Sequence, residues 1–297
     1  MQSLQTEPTI RTTINNSTGP WRWPFTGWSK WEASAWLLLL LAAAVSRFWD
    51  LGTRALHHDE SLHAYFSWLL AVGRGYRHDP LMHGPFQFHF IALAFRVFGD
   101  SDATARYAAA LAGTVAVGLT ALFRPYLGRV GALATGLLMT ISPGLLYFSR
   151  FAREDIYMVV WGLLWVFGLW RYRATGQARF LAIGTAGMAL SFATKESAYI
   201  TFAIFTAYLF AATGPELVRW FRSRLSIALS PAAEATWTWG TLVLPFFAAL
   251  SSIVLRPRGL SPTGATVPTN LLDPAFLVPA LLLSLAVGAG IVLGLMA

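Results

Sequence analysis

Ala35-Trp36-Leu37-Leu38-Leu39-Leu40-Leu41-Ala42-Ala43-Ala44 lies at the centre of an apolar run over 31–48. A helix that crosses a hydrocarbon core about 30 Å thick needs roughly 20 apolar residues, and this run comes close. Similar runs recur at 103–123, 131–147, 156–170, 180–194, 198–212, 240–255 and 276–296. They are continuous, unlike the alternating segments of about 10 residues found in a transmembrane barrel. The pattern predicts an all-α, polytopic membrane protein with about eight transmembrane helices. Composition agrees. Of 297 residues, 56% are apolar and 12% charged, with a mean hydropathy of +0.53, whereas a soluble domain is about 25% charged.

The net charge is +8. Its arginines are scattered between apolar runs, which suits anchoring at membrane surfaces better than a nucleic-acid face. Without cysteine there is no disulfide framework, thiol nucleophile or cysteine metal site. Residues 1–30 are polar and carry Trp21, Trp23 and Trp28, with Trp31 just beyond. They are expected to form a cytoplasmic or interfacial segment with no cleavable leader, followed by a single transmembrane domain over 31–297.

The first loop, about 49–100, contains His57-His58-Asp59-Glu60-Ser61-Leu62-His63, with two carboxylates and three imidazoles in seven residues. Residues 61–72 read as a short amphipathic helix, ended by Gly73, Gly75, Asp79 and Pro80. Residues 83–99 read as one or part of one juxtamembrane helix lying in the interface. With the N-terminus cytoplasmic and 83–99 not counted as a span, parity brings Asp59, the turn at 150–155 and the turn at Lys195 to one outer face. The excess of arginine in the inner connections is modest.

Several side chains there can carry chemistry. Asp59 or Glu60 can act as a general base if its pKa and its reach are right, or can be an ordinary solvated acid. All six histidines fall between positions 57 and 89, and imidazoles with carboxylates are metal ligands. Glu60 and His63 stand about one helical turn apart. A divalent metal (Mg, Mn or Zn) therefore stands beside plain interfacial hydrogen bonding, with His58, His63, His83, Glu154 and Glu196 as further substrate or metal candidates. Arg153-Glu154-Asp155 sits between two runs. Its acids either mark a span boundary or hold sugar or metal, while its arginine can meet phosphate. Lys195 is one of two lysines and interrupts an apolar stretch. A charge there is costly and is functional by default, and an ammonium suits an anionic headgroup. The plain alternative is a tight turn with a Lys195–Glu196 surface pair. No Gly-rich phosphate loop and no Ser/His/Asp set is present, which argues against nucleotide-driven transport.

The order of these motifs resembles the GT-C superfamily of polyprenyl-phosphate-dependent membrane glycosyltransferases. It is most similar to the dolichyl-phosphate-mannose–protein mannosyltransferase and aminoarabinose transferase branches, and to a prokaryotic branch labelled flippase-activity-associated. The resemblance rests on His58-Asp59-Glu60; on His83-Gly84-Pro85-Phe86 leading to Ala105-Arg106-Tyr107; on Tyr147-Phe148-Ser149-Arg150 and Arg153-Glu154-Asp155; and on Thr194-Lys195-Glu196. It covers roughly 31–210. It implies an inverting transfer of a sugar, such as mannose from dolichyl phosphate mannose, to a protein or lipid acceptor outside the cytoplasm, in the plasma membrane. By the same resemblance Asp59 would be the base, and Glu60 and Asp155 would position acceptor or sugar, directly or through a metal. Lys195 and Arg153 would hold the donor phosphate.

Two departures stand against it. The family more often has Lys-Gly where this chain has Lys195-Glu196, and relatives usually continue through more spans, so the chain looks like an N-terminal portion. A non-catalytic membrane subunit or lipid-flipping accessory protein on a truncated scaffold, working with other membrane subunits, is the second reading. A metal- or proton-coupled transporter is the third, without the paired broken helices that such proteins show.

Overall fold

The structure is a computed structural model that describes residues 27–76, 83–223 and 227–241. Among these residues every regular element is helical and there is no strand. In chain order the helices are α1 Lys30–Phe48, α2 His58–Ala71, α3 Phe86–Phe98, α4 Asp102–Leu119, α5 Arg124–Ile141, α6 Pro143–Ser149, α7 Asp155–Thr175, α8 Ala178–Phe192 and α9 Ser197–Arg222. A further helix, α10, covers 231–241.

Three segments are long and apolar enough to cross a membrane: Lys30–Phe48, Asp102–Ile141 and Ser197–Arg222. The expected eight spans are not matched by eight such helices. α8 is short, at 15 residues. α7 has 21 residues, but Trp161, Trp165, Trp170, Arg171 and Arg173 dilute its apolarity. The expected run at 276–296, and that at 240–255 beyond residue 241, lie outside the described residues. The expected run at 131–147 is split at Ser142. Pro143 disfavours helical backbone in the residue before it, so α5 stops at Ile141. Ser142 then caps α6 by accepting from the Leu145 N–H.

The segment Asp102–Ile141 folds back on itself. Going up α1, Glu32 meets Arg124, Leu40 lies against Gly118 and Phe48 packs on Tyr107, so α4 runs antiparallel to α1. Glu32 also meets Arg129, and Arg47 reaches Met139, so α5 runs parallel to α1. The reversal uses a 3-10 turn, Thr120–Phe123, and Gly128 at φ 71°, a backbone region that glycine enters without strain. Buried Glu32 binds Arg124 and Arg129 and holds this turn to the start of α1.

α4 turns an alanine-rich face (Ala105, Ala108, Ala109, Ala112, Ala116) to Ile91 and Phe95 of α3 and to Ile156 and Val160 of α7. Small side chains let the helix axes approach, which is how helices pack where lipid removes the hydrophobic drive. α7 and α8 use the same device: a Cβ on Gly168 would come within 2.5 Å of the Gly184 nitrogen. α7 and α8 are antiparallel, so the C-terminal ends of α1, α5 and α8 and the N-terminal ends of α4, α7 and α9 gather at one end of the bundle. Two arginines tie α1, α5 and α6 together there. Buried Arg47 donates to Ala43 O, Met139 O and Ser149 Oγ. Arg150 donates to Ser46 O and Trp49 O, satisfying carbonyls left open at the end of α1.

Candidate functional site

The histidine-acid patch is the start of α2. His57 is the N-cap: its Nδ1 accepts from the Asp59 N–H while Glu60 Oε2 accepts from the His57 N–H. This reciprocal cap begins the helix three residues before the expected 61–72. It also sorts the patch. Asp59 lies in the first turn, partly exposed, where a helix N-terminus favours negative charge. Glu60 and His63 point inward and are buried, and the His58 side chain faces solvent.

Glu60 is the hub of the first loop. Arg106 of α4 grips it through two parallel bonds, Nε to Oε1 at 2.7 Å and Nη2 to Oε2 at 2.8 Å, the fork geometry that makes such pairs strong. Arg106 also donates to Leu51 O, Arg54 O and Ala55 O, which ties down the loop before α2. Glu60 Oε1 accepts from Ala152 N as well, and Gln87 of α3 donates to Ala152 O. Burial alone would raise the Glu60 pKa, but these bonds and the guanidinium outweigh it and hold the carboxyl below its usual value. With every acceptor position engaged, Glu60 has nothing left to offer a substrate. Arg106 was quoted as part of a motif but given no role. The signal that could have found it is the one used for Lys195, a charge inside an apolar run.

Residues 150–155 form an irregular strip across this end of the bundle, in which each residue takes a different partner. Arg150 caps α1, Phe151 packs on His57 with ring centroids 5.7 Å apart, and Ala152 is caught by Glu60 and Gln87. Arg153 Nη1 donates to Asp59 Oδ2 at 3.0 Å. Glu154 Oε1 lies 2.6 Å from His63 Nε2, and Lys195 Nζ donates to Asp155 Oδ1 at 2.5 Å. Asp59, Arg153, Asp155 and Lys195 are all partly exposed, while Glu154 is fully buried. The structure therefore gathers Asp59, Arg153, Asp155 and Lys195 at one end, as two ion pairs.

Lys195 is held by its turn. Gly84 N–H donates to Thr194 O and Phe86 N–H to Ala193 O, while His83 Nδ1 lies 2.6 Å from Glu196 Oε2. Trp161 donates to Thr194 Oγ1. A Cβ on Gly84 would sit 2.1 Å from the Ala193 carbonyl oxygen, closer than any real contact. Gly84→Ala is expected to lower the melting temperature clearly, by the roughly 1–3 kcal/mol typical of overpacking. Gly144→Ala, on a helix with open space around it, should leave the melting temperature unchanged or slightly raised. Equal effects of the two would refute the close approach.

The donor set does not fit the divalent metal considered from the sequence. Among the described residues no three of His, Asp and Glu converge, Glu60 is saturated by Arg106, and Glu196 pairs with His83. No residue is assigned as a metal ligand. A cavity of about 410 Å³ is lined by Asp50, Arg54, Arg106, Tyr147, Arg150 and Phe151 among others. Asp59, Asp155 and Lys195 do not line it. Its volume therefore says nothing of the ion-paired site.

No curated protein and no solved structure matches the chain. A family model described as dolichyl-phosphate-mannose-protein mannosyltransferase matches residues 82–235, just over half of the chain. The match includes Arg153, Asp155 and Lys195 and begins after Asp59. An all-helical bundle with helices able to cross a membrane agrees with that assignment, and the chain belongs to the dolichyl-phosphate-mannose-protein mannosyltransferase family.

Proposed function

We propose that the protein transfers a sugar from a polyprenyl-phosphate donor to a hydroxyl of a protein or lipid acceptor at the extracytoplasmic face of the plasma membrane, with inversion at the sugar carbon. The observation that carries this reading is the pair of ion pairs, Asp59–Arg153 and Asp155–Lys195, built from separate stretches of chain and partly open at one end of the bundle. Two cations suit a lipid phosphate, and two carboxylates beside them suit a hydroxyl and a sugar.

Without donor, each cation is neutralised by an acid. A phosphate entering the site exchanges with those acids: Lys195 and Arg153 turn to its oxygens, and Asp59 and Asp155 are released. Asp59 then takes the proton of the acceptor hydroxyl as its oxygen bonds to the sugar carbon. The bond from that carbon to the phosphate oxygen breaks with its electrons, and Lys195 and Arg153 stabilise the growing charge. Asp155 positions the sugar. Glu60 serves as the pillar that fixes α2, so that Asp59 projects towards Arg153.

Donor binding tests the reading. Lys195→Ala is expected to weaken binding of dolichyl phosphate mannose by ten- to a hundredfold, the loss of one charge-assisted bond of about 1.5–3 kcal/mol. The measurement is a titration of the detergent-solubilised chain, and unchanged affinity would overturn the assignment of Lys195 to the phosphate.

A further inference from the structure

Behind the two ion pairs lies a group of polar side chains that the reading above does not use. His63 and Ser67 face inward from α2, Gln87 from α3, and Glu154 and Tyr157 from the strip and the first turn of α7. All five are at least nine-tenths buried. His63 Nδ1 and Nε2, Ser67 Oγ, Gln87 Oε1, both Glu154 oxygens and Tyr157 OH have no hydrogen-bond partner among the described residues. His63 Nε2 and Glu154 Oε1 approach to 2.6 Å without the alignment of a hydrogen bond. These groups are neighbours. His63 touches Glu154, Gln87 reaches Ala152 two residues before it, and the His63 ring packs on Phe88 beside Gln87.

Buried polar atoms in native proteins are paired, and where protein supplies no partner an ordered water does. Two of these atoms, His63 Nε2 and Glu154 Oε1, face each other; the other five are polar positions that waters would partner. The seam borders the catalytic end, because Asp59 stands one helical turn before His63 on α2. Arg153 forms its rim: Nη1 binds Asp59, and Nε lies 3.8 Å from Glu154 Oε2.

We propose that this seam between α2, α3 and α7 is a buried water-holding site whose His63–Glu154 couple receives the proton that Asp59 removes from the acceptor. The waters rest on the orphaned atoms alone, while the proton transfer rests on Asp59 acting as base. The balance is simple. The acceptor O–H breaks and the proton moves to Asp59. The Asp59 O–H then breaks, water carries the proton inward, and an O–H forms on Glu154, hydrogen-bonded to His63. The proton later returns by the same route to Asp59 and solvent. His63 and Glu154 act here through Asp59 and touch no substrate.

The surroundings favour the transfer. Burial lowers the His63 pKa to about 4, with Arg153 and His83 adding to the effect and Asp59 and Glu60 opposing it. Burial also raises the Glu154 carboxyl above its usual value, against the pull of His83, Arg153 and Lys195. The charged groups facing the couple are therefore Asp59 and Glu60 on α2, Arg153 on the strip, His83 before α3 and Lys195 in the α8–α9 turn. A neutral imidazole beside a protonated carboxyl leaves no net charge buried. When Arg153 turns to the donor phosphate, Glu154 loses a stabilising cation at the step where Asp59 must unload its proton.

Infrared spectroscopy of the full chain in nanodiscs, titrated with pH and without substrate, tests the site. As pH rises, a buried carboxylic-acid band is expected to outlast the exposed carboxylic acids and then to disappear at higher pH, where Glu154 is ionised and free to take the proton from Asp59. It should vanish in Glu154→Gln and persist in Asp59→Asn. Absence of the band, or its survival in Glu154→Gln, overturns the proposal. If Glu154→Gln does not fold, His63→Gln replaces it: the band should shift, and an unmoved band overturns the couple. With dolichyl phosphate mannose as donor, Glu154→Gln should keep donor affinity, lower kcat about tenfold or more and alter the acid limb of its pH profile. Unchanged kcat and profile would overturn the proton transfer. If the band behaves as expected but the wild-type chain transfers no sugar, the glycosyltransferase reading fails and the water-holding site stands.

Discussion

Asp59→Asn is expected to remove sugar transfer while leaving the protein folded. General-base assistance by a positioned carboxylate contributes about 10²–10⁴ in rate, and an amide of the same shape cannot take a proton. The fold should barely register the change. Asp59 is partly exposed and its one ion pair, to Arg153, lies at the surface, where such pairs contribute roughly 0–1 kcal/mol. The α2 cap uses the Asp59 N–H and not its side chain, so helix initiation survives. Transfer from dolichyl phosphate mannose and thermal melting, measured on the same preparation, decide the matter. Wild-type turnover in the variant would remove Asp59 from the chemistry.

One residue further along, the expectation reverses. Arg106→Met should destabilise the protein by about 3–5 kcal/mol, the usual result of removing one member of a buried pair and stranding the other. Glu60 is fully enclosed. Without Arg106 it keeps only the two N–H donors of His57 and Ala152, and the carbonyls of Leu51, Arg54 and Ala55 lose their donor too. Glu60→Gln should cost less than Arg106→Met, because the amide oxygen can still accept. The sign with pH follows from the lowered Glu60 pKa. Its stabilisation is full above the ordinary carboxylate pKa and is lost as pH falls through the lower value in the fold, so acid should melt the wild-type chain and affect Glu60→Gln less. Melting curves against pH for the three proteins are the measurement. An Arg106→Met protein as stable as wild type would show that the hub carries no weight.

These two neighbours show what could be read from the chain and what could not. The helical class, α1 and a turn at 124–129 follow from apolar runs and their breaks. The meeting of Asp59, Arg153, Asp155 and Lys195 follows from counting passes. The division of labour between Asp59 and Glu60 does not follow, because it depends on where α2 begins. That start is set by His57, a residue outside the usual capping set, and a start one residue earlier would put Asp59 in the inward third position that Glu60 holds. Among the described residues three segments, against the eight runs expected, are long and apolar enough to cross a membrane, for another reason. Runs rich in Trp, Gly and Ala looked continuous in one dimension, yet Pro143 divides one of them, and in α7 the aromatic and arginine content lowers its mean hydropathy. Arg47, Arg106 and Glu32 were passed over because a single charge inside a hydrophobic run is easily taken as noise, when its cost makes it a contact that must exist.

The strip at 150–155 fixes one more property of the protein, its tolerance of length. Six consecutive residues face six separate tasks, from closing α1 to pairing with Lys195. Replacing one of them disturbs one task. Adding or losing a residue shifts the frame of all that follow, so that a cation would arrive where an anion is needed. In evolution and in engineering alike, this stretch can be respelled but not resized.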